Sequence, residues 1–335
     1  MKVFVTGGTG FIGRHIVWRL AAEGCEVLFS GRNCNSAAEV IARSPATVRW
    51  LELEHGTPPA RTKLTSSTQA FDAIVHCAAL SSPWGAYQAF AHANLDSTAE
   101  VINACRQNTI PRLVHLSTPS LYFNFSDRLN IREHEPLPSP VNDYARSKAA
   151  AETLIRSAGL PGAVILRPRA VFGPWDTTLM PRLLRVMQHG AIPLMRGGRA
   201  QLDLTCVDNL VQAMWLSLVK RLPQPLCIYN VSNGTPITFE ALLGQVASSF
   251  QLVLRTRRLP WRAVDLIAQL VEASARLRGG SEPLLTRYGA GVLAFSQTLN
   301  ISAIRDELGY DSVITQTEGI TRHAQWWLAN QGRTL

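Results

Sequence analysis

The chain has 335 residues, 46% apolar and 17% charged, with a net charge of +9. This composition excludes a disordered chain, and no apolar run approaches the ~18 residues needed to span a bilayer. The basic residues are dispersed, and the densest cluster, Arg255, Arg257 and Arg258, has no interleaved aromatics, so no nucleic acid partner is expected. Six cysteines (Cys25, Cys34, Cys77, Cys105, Cys206 and Cys227) show neither CxxC nor a His partner at metal spacing. No metal is expected, and the thiols read as reduced in a cytoplasmic protein. Only five residues precede the dipeptide Thr6-Gly7, too few for a signal-peptide core.

Taken in chain order, short β-rich runs alternate with helical patterns. Strands are predicted over Val3–Thr6, Glu26–Ser30, Val48–Leu53, Ala73–Cys77, Leu113–Ser117 and Ala163–Arg167. Helices are predicted between them, notably Phe11–Glu23, Ala86–Arg106 and Tyr144–Ser157. This alternation specifies an α/β fold, a doubly wound parallel sheet of Rossmann type with ligands at the carboxyl ends of its strands. Beyond Val171 the rhythm breaks into turns (FGPWD, RGGRAQ), one helix (VDNLVQAMWLSLV) and one more strand (LCIYNVS). From Ile237 the pattern is mostly helical. The expected division is a dinucleotide-binding domain over 1–171 and 203–232, and a smaller substrate-binding lobe over 172–202 and 233–335.

The first strand runs into VFVTGGTGFIG, a GxxGxxG loop that opens the first helix. Gly7 permits the tight turn, Gly10 lets backbone approach a pyrophosphate, and Gly13 lets helix and strand pack closely. Thr9, Phe11 and Ile12 share that loop and are expected beside the cofactor. The helix start offers unpaired N–H groups to the phosphates. The second strand ends in VLFSGRN. Ser30 and Gly31 stand where NAD enzymes of this fold place a carboxylate on the ribose hydroxyls. Arg32 follows, offering a guanidinium fork to a 2′-phosphate, with Asn33 as a further donor and the small Gly31 leaving room. NADP is therefore expected, rather than NAD.

Downstream strand ends add to the same edge. HCAAL places Ala78 and Ala79 against the cofactor, and LSTPSLY places Ser117, Thr118 and Ser120 at the top of the sheet. Then comes YARSK. Tyr144 and Lys148 share a helix face at i, i+4. An ammonium one turn away is expected to pull the phenol below its ordinary ionisation near pH 10. Tyr144 then acts as general acid in reduction and general base in oxidation.

GGTGFIG, LSTPSLY, YARSK and LRPRAVFGP together resemble the extended short-chain dehydrogenases/reductases, over essentially the whole chain. The tail, EPLLTRYGAGVLAFSQTLNISAIRDELGY, resembles the 3β-hydroxysteroid dehydrogenase-like branch, which includes bacterial reductases of 2-alkyl-3-oxoalkanoates. The resemblance implies Tyr144 as proton donor, Lys148 as its partner and Thr118 as the carbonyl-clamping hydroxyl, with Ser120 as the substitute. It implies that Asn94, in AHANLDST, helps hold a relay water through its backbone; the alternative is an ordinary helix residue. Pro168 and Val171 match positions at the nicotinamide end, and Arg169 stays open between substrate contact and loop charge. A homodimer through the helices 86–106 and 144–157 is also implied.

The function expected is interconversion of a 3-oxo and a 3-hydroxy group on a small apolar carbonyl or alcohol substrate. The alternative is a nucleotide-sugar epimerase holding its NAD tightly; Pro119 and Ser120 after Thr118 lack the Asp-Glu of the dehydratases. Trp84 and Tyr87, in SSPWGAY, are expected as substrate walls. In WRAVDLIAQLVEASARL, the stripe Trp261, Val264, Ile267 and Val271 reads as core packing, with substrate contact or a membrane surface aided by Arg262, Arg276 and Arg278 as alternatives.

Overall fold

In the computed structural model of the chain, residues 1–277, 282, 283 and 285–330 are described. The first half is built from β1 (Lys2–Thr6), α1 (Phe11–Ala22), β2 (Glu26–Gly31), α2 (Cys34–Ala42), β3 (Val48–Glu52), α3 (Pro58–Ser67) and β4 (Ala73–His76). There follow α4 (Tyr87–Phe90), a π-helical stretch (Ala91–Asp96), α5 (Ser97–Gln107), β5 (Arg112–Leu116), β6 (Arg128–Ile131), α6 (Asp143–Ala158) and β7 (Ala163–Pro168). All of these strands except β6 join β12 (Leu226–Val231) in one parallel seven-stranded sheet in the order β12-β7-β5-β4-β1-β2-β3. Winding reverses between β1 and β4, which opens the crevice where such sheets bind ligands.

Strand alternation decides the two cores. Val3 and Val5 pack on one face with Val75, Val114 and Leu166, while Phe4 packs on the other with Ile74, Leu113 and Ile165. Burial on both faces explains the continuous apolar runs of these strands. The predicted strands and helices of this half recur to within one or two residues, with one exception. The helix expected over 86–106 is interrupted by the π-helical stretch, a local widening that the amphipathic period does not encode.

The second half adds β8 (Val171–Phe172), α7 (Leu179–His189), β9 (Ile192–Met195), β10 (Gln201–Leu202), β11 (Thr205–Cys206), α8 (Val207–Val219), then β13 (Ile237–Thr238) and α9 (Phe239–Ser249) after β12. It closes with β14 (Thr256–Leu259), α10 (Trp261–Leu277), α11 (Arg287–Ala294), β15 (Gln297–Leu299), α12 (Ser302–Leu308) and α13 (Gln316–Ala329). A further apolar core, with Phe172, Met180, Leu202, Phe239 and Ile320, sits here. The region is helical as expected, yet it also holds a four-stranded sheet, β13-β10-β15-β6. Strands of two to four residues are too short to show a period of two, which is why the sequence pattern missed them.

The apolar stripe on α10 departs from expectation. Val264 is buried, but Ile267 is 51% exposed and Val271 36%. The helix packs instead through Val264 and Ala268, one turn apart, so Leu266, Ile267 and Leu270 face outward. Arg276 lies over the Trp84 ring rather than pointing away from the fold. Arg278 lies outside the described residues. Among the described residues no helix is long and apolar enough to cross a membrane.

Candidate active site

The glycine loop follows β1 directly at the reversal point. Gly7 has φ +65°, and a Cβ there would stand 2.9 Å from the Ala78 backbone on the neighbouring strand end. At Gly13 a Cβ would stand 2.1 Å from Gly7 O, so only glycine lets α1 start this close to the strand. Gly10 is the exposed N-cap of α1 and brings no side-chain cap, so the first N–H groups of a twelve-residue helix stay open to an anion. Arg14 secures the loop by donating to Thr9 O at 2.8 Å. Phe11 and Ile12, half-buried, begin the helix behind it. A dinucleotide pyrophosphate fits this cradle of open N–H groups and absent side chains.

At the end of β2 the expectation needs two corrections. The space over Gly31 belongs to Thr9: a Cβ there would lie 2.3 Å from Thr9 Oγ1. A carboxylate is also present after all, supplied by the next strand's end, with Glu54 standing 3.7 Å from the Arg32 guanidinium. Both side chains are mostly exposed, so the pair is weak and open to a competing anion. Asn33 caps α2 by accepting from Ser36 N at 2.9 Å, which leaves only its Nδ2 to donate.

Helix α6 begins where Asn142 Oδ1 accepts from Ala145 N at 2.8 Å, with Asp143 in the first turn. The pair before Tyr144 is therefore a helix cap and a favourable charge at the helix dipole. The helix ends at Gly159, in the left-handed region at φ +61°. Its buried face carries Ser147, Lys148, Ala151, Glu152 and Ile155, fixing Lys148 behind Tyr144.

The phenol of Tyr144 faces the hydroxyls of Ser81 and Thr118, with Phe90 against its ring at 6.2 Å between centroids. Burial raises its pKa, and the two hydroxyls pull partly the other way. The expected lowering by Lys148 is not what this arrangement produces. Lys148 Nζ turns to Leu116 O at 2.5 Å and to His115 Nε2 at 3.4 Å, and burial pushes the ammonium down to about 8. Desolvation is the largest cause at both groups, and Lys148 is not among the groups that act on the Tyr144 phenol.

Asn94 is buried in the π-helical stretch. Its side chain accepts from Leu80 N at 2.8 Å, and its Nδ2 donates to Leu80 O at 3.2 Å and to Ser147 Oγ at 2.8 Å. It ties the loop after β4 to α6. Its backbone carbonyl, the atom expected in a relay, accepts from the Thr98 hydroxyl at 2.6 Å. Ser117 is likewise engaged elsewhere, donating to Glu152 Oε1 at 2.5 Å. Glu152 is itself clamped by Arg167 in a buried pair that fastens α6 to β7.

Thr118 and Ser120 belong to a line of hydroxyls that the sequence pattern left incomplete. Thr118 Oγ1 and Ser120 Oγ are 2.9 Å apart, and Ser120 Oγ meets Tyr288 Oη at 2.6 Å. Tyr288 comes from α11, 168 positions further along the chain. It lines a cleft of about 1140 Å³ together with Trp84, Phe90, Phe125, Asn142 and Asp143. Trp84 is thus a wall of the cleft, whereas Tyr87 lies under the Arg146 guanidinium at 4.0 Å and does not line it. Ala78 is half-buried and Ala79 exposed beside the glycine loop; Pro168 ends β7 and Val171 begins β8 on the far side.

The chain matches the NAD dependent epimerase/dehydratase family over residues 3–232. It is 35% identical over 339 residues to the uncharacterized protein YbjS of Escherichia coli, covering 97% of each chain. It is 30% identical over 341 residues to a 2-alkyl-3-oxoalkanoate reductase of Shewanella oneidensis, covering 95% of this chain and 84% of that one. A ketoreductase of Stigmatella aurantiaca, acting on a 3-oxo-4-farnesyl-dihydroquinoline-1-oxide, is 31% identical over 338 residues, covering 99% and 98%. Among solved structures, the UDP-glucuronic acid 4-epimerase of Bacillus cereus in complex with NAD superimposes with a TM-score of 0.78 at 17% identity, covering 100% and 99%. With a parallel sheet reversed at a glycine loop and these relatives along nearly its whole length, the chain belongs to the NAD dependent epimerase/dehydratase family, as an extended short-chain dehydrogenase/reductase acting on CH–OH and C=O groups.

Proposed function

We propose that the chain interconverts a 3-oxo and a 3-hydroxy group on a substrate with an apolar body, and that it uses NADP(H). The observation that carries this reading is the meeting of Tyr144 and Thr118 at one point beside a cleft walled by Trp84, Phe90 and Phe125. The names of the Shewanella and Stigmatella relatives support it. The nicotinamide cofactor, when bound, supplies or accepts the hydride. Gly7, Gly10 and Gly13 with the start of α1 hold its pyrophosphate, Ala78 and Ala79 leave room against the cofactor, Pro168 and Val171 flank its nicotinamide end, and Arg32 with Asn33 takes the 2′-phosphate.

Around the reacting carbon, the residues divide the work. Thr118 donates a hydrogen bond to the carbonyl oxygen as negative charge builds there. Tyr144, held protonated by burial, delivers its proton to that oxygen. Lys148, charged at neutral pH with its pKa near 8, lies on the same buried helix face and supplies positive potential to the site. Asn94 positions this helix against the loop after β4. A homodimer and a cytoplasmic location belong to the same reading.

The test is a panel of 3-oxo acids, 3-oxoesters, steroids and UDP-sugars, followed by NADPH absorbance, on protein first analysed for retained cofactor. Consumption of NADPH with a 3-oxo compound supports the reading. Tightly retained NAD with UDP-sugar epimerisation and no net cofactor consumption would replace it with the epimerase function.

A further inference from the structure

β5 and β7 run side by side in parallel, with Leu116 opposite Leu166. The segment leaving β7 therefore passes next to the turn that carries Thr118 and Ser120. Arg169 sits in that segment and is 8% exposed. Its backbone is fully engaged, donating from N to Val231 O at 3.1 Å and accepting the Thr205 hydroxyl at 2.6 Å. Its guanidinium is not. Nε is buried without a hydrogen-bond partner, and among the described residues no carboxylate is ion-paired with Arg169.

Arg167, two residues earlier, shows what this fold does with a structural arginine. It is completely buried and takes both oxygens of Glu152. Arg169 has no such clamp. Burial pushes its pKa down, and the groups that face it electrostatically are the neutral Tyr288 phenol and the Asp203 carboxylate. Asp203 turns Oδ2 to Leu299 N at 2.6 Å and leaves Oδ1 without a hydrogen-bond partner, while the Tyr288 hydroxyl is engaged with Ser120. A guanidinium stays charged in a protein, and an unpaired buried charge is among the most costly groups a fold can hold. An anion from outside the chain resolves that cost.

Resting on the reading of Tyr144 and Thr118 as the carbonyl-handling pair, we infer that Arg169 is the substrate's anion anchor and takes a carboxylate borne on the carbon next to the reacting carbonyl. Tyr288 stands between the two functions. Its hydroxyl contacts the Thr118–Ser120 line, and it is an electrostatic neighbour of both Tyr144 and Arg169. A 3-oxo acid has the matching layout: its carboxylate and carbonyl carbons are separated by one carbon, and its apolar chain is left to run into the cleft. Arg169 thereby selects the ionised acid over the corresponding ester or simple ketone.

The experiment is calorimetric titration of the NADP⁺-loaded protein with 3-hydroxydecanoate and with its methyl ester. The acid is expected to bind about tenfold tighter or more, the range for a hydrogen-bonded charge. Arg169→Gln should bring the two affinities within about twofold, and Arg169→Lys should keep part of the preference. Equal affinities in the unmodified protein, a preference that survives in Arg169→Gln, or binding of neither compound would overturn the assignment. If Arg169→Gln does not fold, the acid-to-ester ratio of the unmodified protein and of Arg169→Lys decides. Turnover is recorded separately: binding with the predicted ratio but no cofactor-linked turnover counts against the oxidoreductase reading and leaves the anion anchor standing.

Discussion

The nucleotide edge of the sheet and the helical lobe both border the cleft, but they reach it by different routes. At the nucleotide edge, Gly7, Gly10 and Gly13 act within one turn of chain, and Tyr144 and Lys148 within one turn of helix. In the lobe, Tyr288 meets Ser120 across 168 positions, and Glu272 of α10 accepts from Arg287 N at 2.7 Å across 15. Chemistry that depends on local spacing is visible in a sequence; chemistry that depends on tertiary contact leaves no spacing to read. The first kind is written by backbone geometry, the second by packing.

The sharpest way to break this comparison is at the residues of local spacing. Tyr144→Phe removes the proposed proton donor and should lower kcat by about 10² or more with cofactor affinity unchanged, measured by steady-state kinetics and cofactor titration. Thr118→Ala removes the proposed donor to the developing oxyanion and should cost about 10² in kcat. Near-normal turnover in Tyr144→Phe would move the proton donor elsewhere, with Tyr288 the next phenol along the hydroxyl line.

Lys148 gives a prediction with a sign. Folded, its ammonium loses the proton near pH 8; unfolded, near the ordinary 10.5. As pH falls from 10.5 to 8, the unfolded chain gains a proton that the folded chain does not, so the fold loses stability across that window. Below pH 8 the deficit is constant. Urea midpoints of the unmodified protein relative to Lys148→Met should therefore rise between pH 8 and 10.5, by up to about 3 kcal/mol in stability. A flat difference would mean that the ammonium is not desolvated as described.

Arg32 tests the cofactor. Arg32→Ala should weaken NADP⁺ binding by roughly 1.5–3 kcal/mol and leave NAD⁺ nearly unchanged. Glu54→Gln, which removes the competing carboxylate at 3.7 Å, should strengthen NADP⁺ binding, because an exposed pair gives way to the phosphate. The smallest effect is expected in the lobe. Tyr288→Phe removes the hydroxyl bonded to Ser120, which accepts from Thr118, and should reduce kcat by about three- to tenfold, the worth of one neutral hydrogen bond. A loss as large as that of Thr118→Ala would make the lobe an equal partner in the chemistry.

Much of the fold was legible because strands buried on both faces read as Val/Ile/Leu runs and helices between them show their period. The glycine loop was legible because its demands are steric and local. The lowered phenol expected at Tyr144 failed for a physical reason: spacing gives the distance along a helix, whereas pKa depends on how deeply the fold buries both groups. Gly31 was read as space for a phosphate, yet that space is taken by Thr9 from the preceding loop. Arg169 was visible as a residue, but the absence of a clamp like the one Glu152 gives Arg167 exists only in three dimensions. Tyr288 lies in the tail stretch that carries the family resemblance, but no spacing there pointed to its contact with Ser120.

The central claim, hydride transfer to a carbonyl whose oxygen is protonated by Tyr144, is tested most directly with NADPH carrying deuterium at C4 and a 3-oxo acid as acceptor. Mass spectrometry of the product should find one deuterium on the new carbinol carbon, with one NADPH consumed per alcohol formed, and Tyr144→Phe should slow both signals by about 10² or more while still binding NADPH. Turnover that leaves NADPH unconsumed and the product unlabelled, or full labelling by Tyr144→Phe at the unmodified rate, would contradict the account.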